Sequence, residues 1–193
     1  MIVAHPDDET LWAGGAILMH PDWRCRILSV SRASDPDRAP RFHNALTYLG
    51  ASGDMADLDD GAEQTSLTES EIRETIAAFA AGDTYDLLLT HGPNGEYTFH
   101  QRHIEVSHAV LHLWKSGVLR AGRLWRFAYE DGNGAYLPRA EPDADIQFDL
   151  PEEIWSLKRF IVTAIYGFSA DSWEAQALPR VEAFRELTLE RAL

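Results

Sequence analysis

Apolar positions along the chain switch between two spacings. Residues 2–4 (IVA) are a short apolar run, and residues 25–32 (CRILSVSR) alternate and carry β-branched side chains, so two strands are predicted there. Between them, residues 11–20 (LWAGGAILMH) place apolar side chains at helical spacing, with Gly14 and Gly15 near the expected start. A second helix is predicted over 40–49 with Gly50 as its C-cap, and one short strand within MADLDDG. The clearest helix is SLTESEIRETIAAFAAG: Thr68 and Glu71 form a capping-box pattern, Ile72, Ile76 and Phe79 share a face, and Gly82 ends it. A buried strand then ends at His91, a loop (GPNGEYTFHQRH) leads into a helix over 103–115, and a further strand is expected over 123–130. IQFDL reads as a strand and PEEIWSLKRFIVTAIYG as a helix with Pro151 in its first turn, while the tail, 173–193, reads as an amphipathic helix.

Strands that alternate with helices predict an α/β protein: a Rossmann-like, mostly parallel sheet with helices on both faces. No repeat or long linker divides the chain, so residues 1–193 are read as one domain. One cysteine, Cys25, excludes an intrachain disulfide and a thiolate zinc cluster. The formal net charge of −14 argues against a nucleic-acid partner or an anionic membrane surface. No apolar run reaches the ~20 residues needed to span a bilayer, and the first residues lack a signal-peptide pattern, so a cytoplasmic protein is expected. A homo-oligomer is compatible with the sequence but not legible in it.

In a parallel sheet the strand ends meet at one edge, where ligands bind. Two predicted strands end in polar clusters: His5-Pro6-Asp7-Asp8-Glu9, and His91 followed by His100 and His103. His5, Asp8 and His103 together offer two imidazoles and a carboxylate, a common set for a catalytic zinc with an open position for water. The same set accepts Fe2+, Mn2+ or Co2+. Asp7, beside a ligand, could accept a proton from that water, Glu9 could support from behind, and His100 could donate to a developing oxyanion. Tyr97 and Phe99 flank the HxxH pair and are candidate pocket walls. A lone His-Asp pair is more often a cap, and a lone HxxH an accident of a surface helix; it is their joint position at two strand ends that points to a metal site.

These residues carry a resemblance. AHPDDETLWAGG is similar to the signature of the PIG-L/LmbE family of zinc-dependent de-N-acetylases, and GEYTFHQRHIEV resembles that family's HxxH element. DDG at 59–61 and LPEEIWSLK fall in the expected order. The resemblance implies an LmbE-like fold and hydrolysis of an acetamide on a small sugar or sugar conjugate, often N-acetylglucosamine. It implies His5, Asp8 and His103 as metal ligands, Asp7 as general base and later acid, His100 as the group that polarises the carbonyl, and Arg38 as a substrate contact. Two positions depart from the pattern. Arg102 stands where the family often has an acid, and a cation beside His100 would disfavour its protonated form. Arg41 stands where a glutamate is expected.

The leading expectation is therefore a zinc-dependent N-deacetylase acting on a small N-acetylated substrate. The alternative is a metal-containing sugar-binding protein of the same fold without significant turnover. A nucleotide-binding reading fails: there is no GxGxxG, and the acidic turn would repel a pyrophosphate.

Overall fold

The computed structural model describes residues 1–61, 63, 65–80 and 82–189. Strands and helices alternate through the first two thirds: β1 (Ile2–Val3), α1 (Asp8–Met19), β2 (Arg26–Ser31), α2 (Arg38–Leu49), β3 (Ser52–Leu58), α3 (Glu69–Phe79), β4 (Thr84–Thr90), α4 (Gln101–Lys115) and β5 (Arg120–Phe127). Two short strands, β6 (Tyr129–Glu130), at the end of the strand expected over 123–130, and β7 (Arg139–Ala140) pair as a ribbon. Then come β8 (Ile146–Asp149), α5 (Glu152–Phe160), a π-helical turn (Ile161–Ile165), α6 (Trp173–Ala177) and β9 (Val181–Thr188).

Strands β1, β2 and β3 pair in parallel, as do β4 and β5. The sheet is parallel only over this first part, because β9 runs antiparallel between β5 and β8. Side chains rather than a backbone ladder join the two sets at the seam. His91 Nε2 accepts the Ala4 N–H at 2.9 Å, and the Thr90 hydroxyl donates to the Ile2 carbonyl at 2.8 Å. The ends of β1 and β4 are thereby fixed side by side, and it is there that the polar clusters leave the sheet.

Alternation along each strand feeds two cores. Val3, Ile27, Leu89 and Trp125 face α1, α2 and the π-helical turn, whereas Ile2, Leu28, Leu88 and Leu124 face α3 and α4. Helix α4 offers Val106, Val110 and Leu113 to the second core at helical spacing, and each such side chain fully buried contributes about 1.5–3 kcal/mol. The capping box of α3 is formed: Thr68 Oγ1 accepts the Glu71 N–H and Glu71 accepts the Thr68 N–H.

The expected tail helix is corrected. Only residues 173–177 are helical, and 181–188 form β9; residues 190–193 lie outside the described residues. Val181, Phe184 and Leu187 keep a helical interval, but Pro179 precedes them and the slot between β5 and β8 needs a strand. Glu182 is fully buried in that strand and accepts from Lys158 Nζ (2.6 Å) and the N–H groups of Gly15 (2.7 Å) and Ala16 (2.6 Å). Helix α1 begins at Asp8 rather than residue 11, so its glycines lie mid-helix. At Gly15 a Cβ would come within 2.4 Å of Leu150, so the glycine is what lets α1 seat there. Among the described residues no helix is long and apolar enough to cross a membrane.

Candidate metal centre and active site

After Val3 the chain turns through Ala4, His5 and Pro6 and enters α1 at Asp8. Asp8 thus sits in the first helical turn, where the helix dipole favours a carboxylate. Two donors hold it: the His5 backbone N–H on Oδ2 at 2.8 Å, and Trp12 Nε1, one turn along, on Oδ1 at 3.1 Å. From the other side of the seam, α4 delivers His103 from its first turn, fully buried.

Three donor atoms converge. His5 Nδ1 lies 3.2 Å from Asp8 Oδ2 and 3.2 Å from His103 Nε2, and His103 Nε2 lies 3.3 Å from Asp8 Oδ1. Atoms bound to one tetrahedral ion at 2.0–2.1 Å would stand about 3.3–3.4 Å apart. The outer nitrogens are committed elsewhere. His5 Nε2 meets Asp60 Oδ1 at 3.0 Å, and His103 Nδ1 meets Glu96 Oε2 at 2.5 Å. With both N–H groups turned to carboxylates, the inner nitrogens face each other as two lone pairs, which a positive charge must reconcile. A proton can supply it: burial alone would lower the His5 pKa, but Asp60 and Asp8 outweigh it and raise it to about 9. A metal ion can supply it equally, and the donor set fits one.

Glu96 and His91 complete the support. The Glu96 carboxylate, fully buried, accepts from His103, from His91 Nδ1 at 2.8 Å and from the Gly92 N–H at 2.8 Å. Burial would raise its pKa, yet His91 and His103 hold it down at about 2. His91 stacks on His103 with centroids 3.9 Å apart and also lies 3.4 Å from Asp8 Oδ2. Asp8, His91 and His103 therefore form a second group spaced to hold an ion, as do His5, His100 and His103. The His91 Nε2 lone pair, however, already accepts the Ala4 N–H, which makes His91 a buttress rather than a donor to metal.

A cavity of about 400 Å³ opens beside this centre, lined by His5, Asp7, Asp8, Arg38, Tyr97 and His100, with Arg32, Asp60, Trp173 and Glu174 around them. Asp7 is the N-cap of α1, but its side chain caps nothing and its backbone is held at φ 145°. Burial and the neighbouring Asp8 charge push its carboxyl well above the usual range. Arg38 Nη1, shielded and without a hydrogen-bond partner among the described residues, lies 3.9 Å from Asp7 Oδ2, with its guanidinium 4.5 Å over the Phe168 ring. Burial, then His103 and His5, lower the His100 pKa to about 3, so its imidazole is neutral, and its Nδ1 is buried without a hydrogen-bond partner among the described residues.

The structure thus brings His5, Asp7, Asp8, His100, His103, Arg38 and Tyr97 together. Phe99 is the exception: it is 87% exposed and lines a neighbouring cavity with Phe127 and Glu130. Arg102 does not act on His100 as expected. Its buried guanidinium pairs with Glu105 and donates to the Thr65 carbonyl at 3.1 Å. Arg41 donates to the Tyr166 carbonyl at 2.7 Å. From the sequence alone Glu96, Asp60 and Trp173 have no assigned role, and His91 is marked as part of the second polar cluster without a task of its own; Glu96 and Asp60 lie inside the GEY and DDG turns.

Fold and site together define an LmbE-like α/β protein. The chain belongs to the PIG-L family, whose model, described as GlcNAc-PI de-N-acetylase, matches residues 1–114. Among solved structures it is similar to N,N'-diacetylchitobiose deacetylase from Pyrococcus horikoshii: TM-score 0.75, 14% identity, covering 98% of this chain and 83% of that one. It is also similar to the A40926 pseudoaglycone deacetylase Dbv21 (TM-score 0.61, 17% identity, 97% and 96% covered). A third likeness is to GalB, the 4-carboxy-2-hydroxymuconate hydratase of Pseudomonas putida (TM-score 0.63, 15% identity, 96% and 94% covered). At these identities the likeness speaks for the fold. Uncharacterized protein L374 of Acanthamoeba polyphaga mimivirus is 24% identical over 121 residues, 55% of this chain; the chain spans about half of that relative, 53% of its length.

Proposed function

We propose that the chain is a metal-dependent hydrolase that removes an N-acetyl group from a small sugar or sugar conjugate. His5, Asp8 and His103 hold the ion, zinc in the first instance. The observation that carries this reading is the pair of imidazole nitrogens 3.2 Å apart beside the Asp8 carboxylate, with the other nitrogen of each ring against a carboxylate. The description of the family model supports the reaction. The fold alone does not choose it, since a hydratase shares that fold, so the residues must.

A divalent ion in this centre would polarise an amide carbonyl and lower the pKa of a water. Asp7, at the cavity wall, takes the proton of the attacking water and returns it to the departing amine. His100, neutral, donates a hydrogen bond to the carbonyl oxygen as charge develops there. Arg38 offers an uncommitted N–H to a hydroxyl or other acceptor of the substrate. Tyr97 and Trp173, with centroids 4.4 Å apart, form an aromatic wall on which a sugar ring can lie.

The test is a panel of N-acetylated amino sugars and glycosides assayed for free amine, with zinc restored and after chelation. Zinc-dependent amine release from at least one member supports the reading. Measurable sugar binding without amine release from any member would replace it with a binding protein.

A further inference from the structure

Asp7 sits in a backbone conformation, φ 145°, that a residue with a side chain rarely adopts. Such an outlier persists only where its surroundings impose it. An ordinary N-cap aspartate would turn its carboxylate onto its own helix, whereas that of Asp7 is left in the cavity. Its backbone N–H is held instead by Glu9, whose Oε2 accepts it at 3.0 Å. A capping carboxylate usually reaches back from the third helical residue; here it does so from the second.

Glu9 is fully buried and is itself held. Its Oε1 accepts the Thr10 hydroxyl at 2.6 Å and the Tyr166 hydroxyl at 2.6 Å. Tyr166 directly follows the π-helical turn, whose wide hydrogen bond runs from its N–H to the Ile161 carbonyl at 2.9 Å. Turns of this kind often mark functional sites. Arg41 holds the Tyr166 carbonyl, and Gly167, at φ +79°, leaves the room: a Cβ there would lie 2.0 Å from Arg41 Nη1. Two residues beyond Tyr166, Phe168 lies beneath Arg38. One short segment therefore underpins both Asp7 and Arg38.

We infer that Glu9 and Tyr166 are positioning residues, which hold the Asp7 backbone so that its carboxylate projects into the cavity rather than onto its helix. This rests on the reading of Asp7 as the base. Neither residue lines the cavity, and the hydrogen bonds of Glu9 and Tyr166 described above do not reach the donor atoms of His5, Asp8 and His103, so loss of the pair should leave those three ligands in place while freeing Asp7.

Three variants test it: Glu9→Leu, which removes the acceptor; Glu9→Gln, which keeps an oxygen for the Asp7 N–H; and Tyr166→Phe, which keeps the ring in the core. On whichever N-acetyl sugar the parent protein hydrolyses, Glu9→Leu should lower kcat at least tenfold, with KM and zinc per chain within about twofold. Glu9→Gln should restore most of that loss, and Tyr166→Phe should fall between. Amide hydrogen exchange at Asp7 should be at least tenfold faster in Glu9→Leu than in the parent. Equal kcat in all three variants, or a loss that follows zinc content, overturns the inference. A parent protein inactive on every amide would sink the proposed function instead, and Asp7 exchange, which needs no turnover, would still decide whether the pair holds this backbone.

Discussion

Replacement of Glu96 by Gln tests how the metal centre is kept in shape. The carboxylate serves three buried donors, the Nδ1 groups of His91 and His103 and the Gly92 N–H. An amide has one oxygen. If it faces the imidazoles, its NH2 meets the Gly92 N–H; if reversed, its NH2 meets two imidazole N–H groups. Either way at least one buried donor is left unpaired, at about 1–3 kcal/mol. For a chain of this size that is about 2–4 °C in Tm per kcal/mol. The larger expected effect is on metal. His103 loses the acceptor that fixes which of its nitrogens carries the proton, and loss of such a partner costs about 10–100-fold in metal affinity. Zinc titration against a chromophoric chelator, with thermal unfolding of the metal-free protein alongside, reads both. A variant that binds zinc within about twofold of the parent would refute the reasoning, whatever its Tm.

Zinc affinity should also depend on pH with a definite sign. The His5 pKa of about 9 keeps a proton on its imidazole at neutral pH, and that proton must leave for Nδ1 to bind a metal. Apparent affinity should therefore weaken by up to about tenfold per unit as pH falls below 9, measured by the same competition at pH 6 to 9; a flat profile would contradict the assignment of His5. Gly15→Ala should destabilise the fold by about 1–3 kcal/mol, since the new methyl meets Leu150 at 2.4 Å and Glu182 Oε1 at 2.9 Å, and chemical unfolding of the metal-free protein checks it.

The elements that set up the site were legible in sequence because they are local. The β1 run, the HPDDE turn, the strand ending at His91 and the helix carrying His103 each show their own period or turn chemistry. The rule that parallel strand ends share an edge then brings His5 and His103 together from 98 residues apart. What stayed hidden depends on distant partners. The burial of Glu182 depends on Lys158 and the α1 backbone, and β9 keeps a helical interval although it fills a strand position. Tyr166 is one aromatic among several until its hydroxyl is seen on Glu9. Arg102 and Arg41 looked like disturbances of the site and are ties instead, one to the Thr65 carbonyl and one to the Tyr166 carbonyl.

The most direct measurement is amine release by the zinc-loaded Asp7→Ala variant, with zinc per chain counted in the same sample. A full complement of zinc and a rate at least about 10²-fold below the parent protein is the predicted result, the size of a general-base contribution. Parent-like turnover in that variant, or a loss of zinc equal to its loss of rate, would contradict the division of labour between Asp7 and Asp8.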